Sequence, residues 1–261
     1  DACRIAGNQA VNGGGIFSSG AVTITRSTVT NNSANGFGGG LQGSGGFVVV
    51  EQSTFHDNRA LTGGGGGLNV ALASLTLRNS TISGNVAGGP AGSAVSVMSM
   101  GLPPAQTTFT MTHSTLVGAD YREIVLFLSG HVWMYNSIVA NQGEPTQWDC
   151  GLLEGEIRAN EGNLIQDGSC SATYQGDPRL GPLADNGGAT RTHLPGFGSP
   201  ALGKAAPAYC LPTDQRGQPR PAGAGCDIGA VEVSETAGAK VYLPLLMRGA
   251  PPARNSFSQW R

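Results

Sequence analysis

A short motif, Ser-Thr-apolar-x-x-Asn, returns at near-fixed spacing through the first part of this chain: Ser27-Thr28-Val29 to Asn32, Ser53-Thr54-Phe55 to Asn58, and Ser80-Thr81-Ile82 to Asn85. Its serines stand 26 and 27 residues apart. A unit that short cannot bury a core alone, but it matches one turn of a parallel β-helix, where each coil covers the next. Further copies start at Ser114-Thr115-Leu116 and, degenerately, at Ser137-Ile138-Val139. A partial one opens the chain at Cys3-Arg4-Ile5 to Asn8, so six coils are predicted.

Five and three residues before each full motif Ser lie Val22 and Ile24, Val48 and Val50, Leu75 and Leu77, Phe109 and Met111, then Val132 and Met134. Their period of two marks strands with these side chains inward, and Thr23, Thr25, Val49, Glu51, Thr76, Arg78, Thr110, Thr112, Trp133 and Tyr135 outward. Val29, Phe55, Ile82, Leu116 and Val139 form a second inward column. Asn8, Asn32, Asn58 and Asn85 are predicted to stack as an internal ladder at a corner where Asn tolerates left-handed backbone. The glycine runs after each Asn show how a chain with 42 glycines can still be ordered, since there they turn corners and let coils approach closely. The longer step from Ser80 to Ser114 predicts a protruding loop around Gly101-Leu102-Pro103-Pro104.

A net charge of -2 gives no basic surface for nucleic acid, and no apolar run approaches a membrane span. Up to Ala119 the acids are only Asp1, Glu51 and Asp57, thin material for carboxylate catalysis. The five cysteines lack zinc-knuckle spacing. Disulfides Cys150–Cys170 and Cys210–Cys226 are expected, each worth about 3 kcal/mol in the chain-entropy account, in an oxidising, extracellular setting. Cys3 is left over, either a buried thiol in the motif Ser slot or an interchain bridge. The chain opens within a coil, which reads as a processed or cut start.

After Ala140 the period fades into Pro-, Gly- and Asp-rich sequence: Gly162-Asn163-Leu164-Ile165, then Asp177-Pro178-Arg179-Leu180-Gly181-Pro182-Leu183-Ala184-Asp185-Asn186-Gly187-Gly188-Ala189-Thr190-Arg191-Thr192-His193. Gly198-Ser199-Pro200-Ala201-Leu202, Thr213-Asp214-Gln215-Arg216-Gly217-Gln218-Pro219-Arg220-Pro221 and Cys226-Asp227-Ile228-Gly229-Ala230-Val231-Glu232 follow. From about Asn79 to Glu232 these motifs resemble the choice-of-anchor Q domain proteins of bacteria. The resemblance implies a right-handed, single-stranded parallel β-helix at the cell surface or secreted, and it brings no catalytic residues. Where that family continues Gly-Ser-Pro-Ala with an apolar residue and Asp, this chain has Leu202-Gly203-Lys204. The expected fold is thus all-β, a solenoid over residues 1–141, family-specific coils and a disulfide-stapled cap over 142–232, and a linker, apolar edge strand and tail over 233–261. Asp177, Asp185, Asp214 and Asp227 read as turn caps in that piece, with calcium binding as the other reading.

The run Val241-Tyr242-Leu243-Pro244-Leu245-Leu246-Met247 is too short to span a membrane, and Pro244 restricts it to an edge strand. It either folds back near Trp133 and Tyr135 or is donated to another molecule. The leading functional expectation is a secreted structural or adhesive surface subunit that assembles head to tail with itself, without cofactor, metal or catalytic residues. The alternatives are a polysaccharide lyase or glycoside hydrolase, or a monomeric module that binds surface polysaccharide through Trp133, Tyr135 and Trp148. An enzyme would draw on Tyr121, Arg122, Glu123, His131, Glu144 and Asp149 beside those aromatics. The outward columns Thr28, Thr54, Thr81, Thr115 and Thr23, Thr76, Thr110 raise a third idea, an ice or crystal surface.

Overall fold

The computed structural model describes residues 1–89, 92–99, 107–118, 126–141 and 148–234. It is a parallel β-solenoid. Face A stacks Val22–Thr25, Phe47–Glu51, Ser74–Arg78, Thr108–Thr112 and the later parts of Leu126–Tyr135 and Cys150–Glu161. Face B stacks Arg4–Ala6, Thr28–Thr30, Thr54–His56, Thr81–Ala87, Thr115–Gly118, Ile138–Ala140 and Leu164–Ile165. Face C stacks Ile16–Ser18, Leu41–Ser44, Leu68–Ala71, Val95–Met98 and the early parts of the same two long strands.

The two inward columns form one continuous core. Val48, Val50, Leu75, Leu77, Phe109, Met111, Val132 and Met134 meet Val29, Phe55, Ile82, Leu116 and Val139, all fully buried or nearly so. Each large apolar side chain buried this way contributes about 1.5–3 kcal/mol.

Between faces A and B the corner residue takes positive φ in each coil: Ala2, Arg26, Gln52, Asn79, His113, Asn136 and Gly162. The motif Ser follows, and its hydroxyl accepts from the Ser amide one coil earlier, Ser27 N to Ser53 Oγ at 3.0 Å and Ser53 N to Ser80 Oγ at 3.3 Å. Asn163 continues this column by accepting from Ser137 N at 2.8 Å, which marks Leu164–Ile165 as a seventh rung beyond the six predicted. Cys3 occupies the first slot, its amide bonded to Ser27 Oγ at 3.1 Å. Its thiol is exposed rather than buried.

The Asn ladder forms as expected, through Asn8, Asn32, Asn58 and Asn85 at 2.9–3.0 Å. Left-handed backbone, however, falls on the residue before each ladder Asn, at Gly7, Asn31, Asp57 and Gly84. At the glycine corner the limit is space: a Cβ on Gly39 would lie 2.4 Å from the Gly66 carbonyl oxygen. Side chains there would force the coils apart.

Both disulfides form as expected, Cys150–Cys170 and Cys210–Cys226. The irregular piece has two parts. Residues 166–176 close the last rung, with Tyr174 N donating to Asn163 O and Gly176 N to Gln166 O. The remainder, residues 177–233, is a flank segment that does not stay at the end: it runs back along the outside of face B, bonding to it as far as the third rung. The apolar run Val241 to Met247 lies outside the described residues, as do Gly101 to Pro104. Among the described residues no helix is long and apolar enough to cross a membrane.

Candidate functional site: a groove under the flank segment

The flank segment is held by the outward threonines of face B. Thr54 Oγ1 donates to Arg191 O at 2.6 Å, Thr81 Oγ1 to Gln215 Oε1 at 2.7 Å, and Thr115 Oγ1 accepts from Ala230 N at 2.9 Å. Gln215 is the central rivet, its Nε2 also donating to Thr54 Oγ1 and Thr190 Oγ1 at 2.9 Å each. Thr54, Thr81 and Thr115 are consequently buried. Of the expected hydroxyl column Thr28, Thr54, Thr81 and Thr115, the last three lie under the chain itself and present no surface to ice.

Polar side chains also fix the turns of the segment. Asp214 accepts from the amides of Arg216, Gln218 and Glu232, and Asp227 from those of Gly203 and Val233. Asp177 and Asp185 accept from Arg179 N and Gly187 N. Arg220 and Glu232 form a buried ion pair at 2.8 Å, with Arg220 also donating to Asp227 O and Gly229 O. Burial lowers the Arg220 pKa, and the Glu232 charge opposes that shift. Desolvation and then the Arg220 charge lower His113 to about 3. His113 sits inside the joint, its Nε2 3.1 Å from Asn136 Nδ2.

Where the segment bridges the edge of face B it leaves a groove. One end, about 450 Å³, is lined by Arg4, Thr28, Asn31, His56, Asp57, Asp185, Thr190 and Arg191. The other, about 690 Å³, runs from His56 and Asp57 through Ser83, Asn141 and Gln166, with Asp177, Leu180, Pro182 and His193 on the far wall. Both ends share His56, Asp57 and Arg191, so one trough follows the solenoid over seven rungs, about 29 Å at about 4.8 Å per step.

Its chemistry is polar and mixed in charge. His56 Nδ1 lies 2.7 Å from the Asp57 carboxylate and 3.2 Å from Thr30 Oγ1. Among the described residues the guanidinium of Arg191 makes no ion pair. His193 Nδ1 is 2.7 Å from Gly181 O, which can only accept, so Nδ1 carries the proton and Nε2 faces Ser83 Oγ at 2.8 Å. Burial lowers the His193 pKa, partly offset by that carbonyl.

The residues predicted as sites are scattered. Tyr135 stacks on Tyr209 of the flank segment at 3.9 Å, beside a shallow cleft of about 420 Å³ lined by Thr76, Arg78, Thr110 and Thr112. A hydrogen bond from Tyr209 to Glu161 raises the tyrosine pKa. Trp133 meets the edge of His131, which lies 3.0 Å from Arg158. Trp148 is 68% exposed, but it precedes Cys150–Glu161, whereas the residues paired with Trp133 and Tyr135 are Ala159 and Glu161 near that strand's other end. The three aromatics therefore make no common face.

Asp149 is buried beside Asp167, each carboxylate accepting from the other's amide at 3.0–3.1 Å. Burial, then the Asp167 charge, raises Asp149 to about 7. Tyr121, Arg122, Glu123 and Glu144 lie outside the described residues. No motif or spacing in the sequence marks His56, Asp57 or His193 as members of one site. Their neighbours across the groove are more than 100 positions away.

No protein family, curated protein or solved structure matches this chain.

Proposed function

We propose that this chain is a secreted, adhesive and structural surface protein whose flank groove takes hold of a cell-surface or matrix polysaccharide. The observation that carries the reading is the trough itself, fixed on both walls by buried hydrogen bonds and lined by donors and acceptors over seven rungs. An extended, hydroxyl-rich chain suits such a site, since a prearranged polar lining costs little ordering on binding. The two disulfides are compatible with an extracellular setting, and the resemblance to choice-of-anchor Q domain proteins supports a surface location.

Binding to immobilised neutral and uronic-acid polysaccharides tests it. Arg191→Ala and His56→Ala should each weaken retention at least about tenfold. Retention of no polysaccharide, or retention indifferent to both substitutions, would sink the reading. A second reading, head-to-tail assembly into a filament, is supported by the exposed thiol of Cys3. Non-reducing electrophoresis and electron microscopy of wild type and Cys3→Ser decide it: loss of linked species in the variant supports the bridge, and identical patterns remove it.

A further inference from the structure

We propose that Ser83 and His193 form a nucleophile–base pair in the flank groove that transfers the acyl group of an ester to water. Ser83 Oγ lies 2.8 Å from His193 Nε2, within the range required of a hydroxyl nucleophile and its base. The other ring nitrogen is held 2.7 Å from Gly181 O, which fixes the tautomer and leaves Nε2 as the acceptor. Gly181 thus supplies, through its backbone, the orienting contact that a third side chain gives in other hydrolytic triads.

Three further observations point the same way. Both side chains line the wider end of the groove, at its floor, with 4% of Ser83 and 3% of His193 left exposed. They come from opposite walls, Ser83 from a solenoid rung and His193 from the flank segment, so the pair exists only once the segment has folded back. Burial also keeps His193 neutral at physiological pH, the form a base needs. Gln166 and Arg191, which line the same end of the groove, carry the kind of N–H donor that a developing oxyanion requires.

The chemistry balances without a cofactor. Ser83 Oγ bonds to the ester carbonyl carbon as its proton passes to His193 Nε2. The tetrahedral intermediate collapses with cleavage of the carbon–alkoxy bond, and His193 returns the proton to the departing alcohol. Water, deprotonated by His193, then adds to the acyl-serine; the bond to Oγ breaks, Ser83 regains its proton and a carboxylic acid leaves. The natural substrate class is an O-acylated polysaccharide, a choice that rests on the binding reading above. The acyl chemistry itself does not.

The test uses the whole chain with a fluorophosphonate probe and p-nitrophenyl acetate, neither of which contains sugar. Wild type should gain one covalent adduct, mapped by peptide mass spectrometry to Ser83, and hydrolyse the ester. S83A should lose the adduct, and H193Q should fall at least about 100-fold in rate. The acid limb of the wild-type pH–rate profile should lie below the usual histidine pKa near 6.5. His56, Asp57, Asp177 and Arg191 are the other charged groups lining that end. Absence of an adduct at Ser83 under excess probe, or hydrolysis in H193Q within about threefold of wild type, overturns the proposal. Polysaccharide retention measured on S83A separates the two readings: binding kept without chemistry leaves the groove's binding role standing.

Discussion

Asn58→Ala probes what holds the coils in register. The Asn58 side chain is buried and fully used: Oδ1 accepts from Asn32 N and Asn32 Nδ2 at 3.1 and 3.0 Å, and Nδ2 donates to Val29 O and Asn85 Oδ1 at 2.9 Å each. Four bonds at a net of about 1 kcal/mol each put the loss near 4 kcal/mol, before any added cost of orphaned partners. Asn8 ends the ladder in an exposed position with one side-chain bond, so Asn8→Ala should cost less than about 1 kcal/mol. Asn58→Asp keeps both accepted bonds but turns an oxygen toward Val29 O and Asn85 Oδ1, so it should be at least as damaging as alanine. Urea unfolding followed by circular dichroism reads all three, as a lower midpoint with unchanged slope. If Asn58→Ala costs less than about 1 kcal/mol, or no more than Asn8→Ala, the ladder is not the cement described here.

Three further expectations concern the joint and the end piece. Glu232→Ala should destabilise by about 3–5 kcal/mol, because it strands the Arg220 charge in a dry site; a calorimetric loss under about 1 kcal/mol would contradict the buried pair. His113 titrates near 6.5 unfolded but at about 3 folded, so the unfolded state binds the extra proton between those values, and stability falls as pH drops through that window. His113→Gln should remove about 1.4 kcal/mol per pH unit of that slope; an unchanged slope would refute the assignment. Asp149 works the other way: raised to about 7 when folded, it costs stability as pH climbs from about 4 to 7. Asp149→Asn should therefore match wild type near pH 4 and exceed it at pH 8 by on the order of 2 kcal/mol, with equal melting curves at pH 8 as the contrary result.

The solenoid was legible because its physics repeats. Val48, Leu75, Phe109 and Val132 solve one packing problem at one offset from the motif Ser, and a period of two exposes the solution. The seventh rung, expected only through the resemblance as one of the coils in 142–232, lacks the motif because Asn163 fills the Ser slot with a different acceptor that makes the same bond. The path of the flank segment was not legible at all. Its attachments are single side chains such as Gln215 and Arg220 meeting threonines and carbonyls far along the chain, and they leave no period. Thr54, Thr81 and Thr115 read as an open hydroxyl wall because alternation gives only the direction of a side chain, not what lies over it. The groove inherits that difficulty, since Ser83 and His193 meet only through the fold of a segment without pattern.

Hydrogen–deuterium exchange of the intact protein, with and without a retained polysaccharide, tests the central claim most directly. Protection should concentrate on Asn31, on 55–58 and on 188–193, the two walls of the trough. Protection confined instead to Thr76, Thr110 and Tyr135 with Tyr209, on face A, would place the ligand in the aromatic cleft and contradict the flank groove as the binding site.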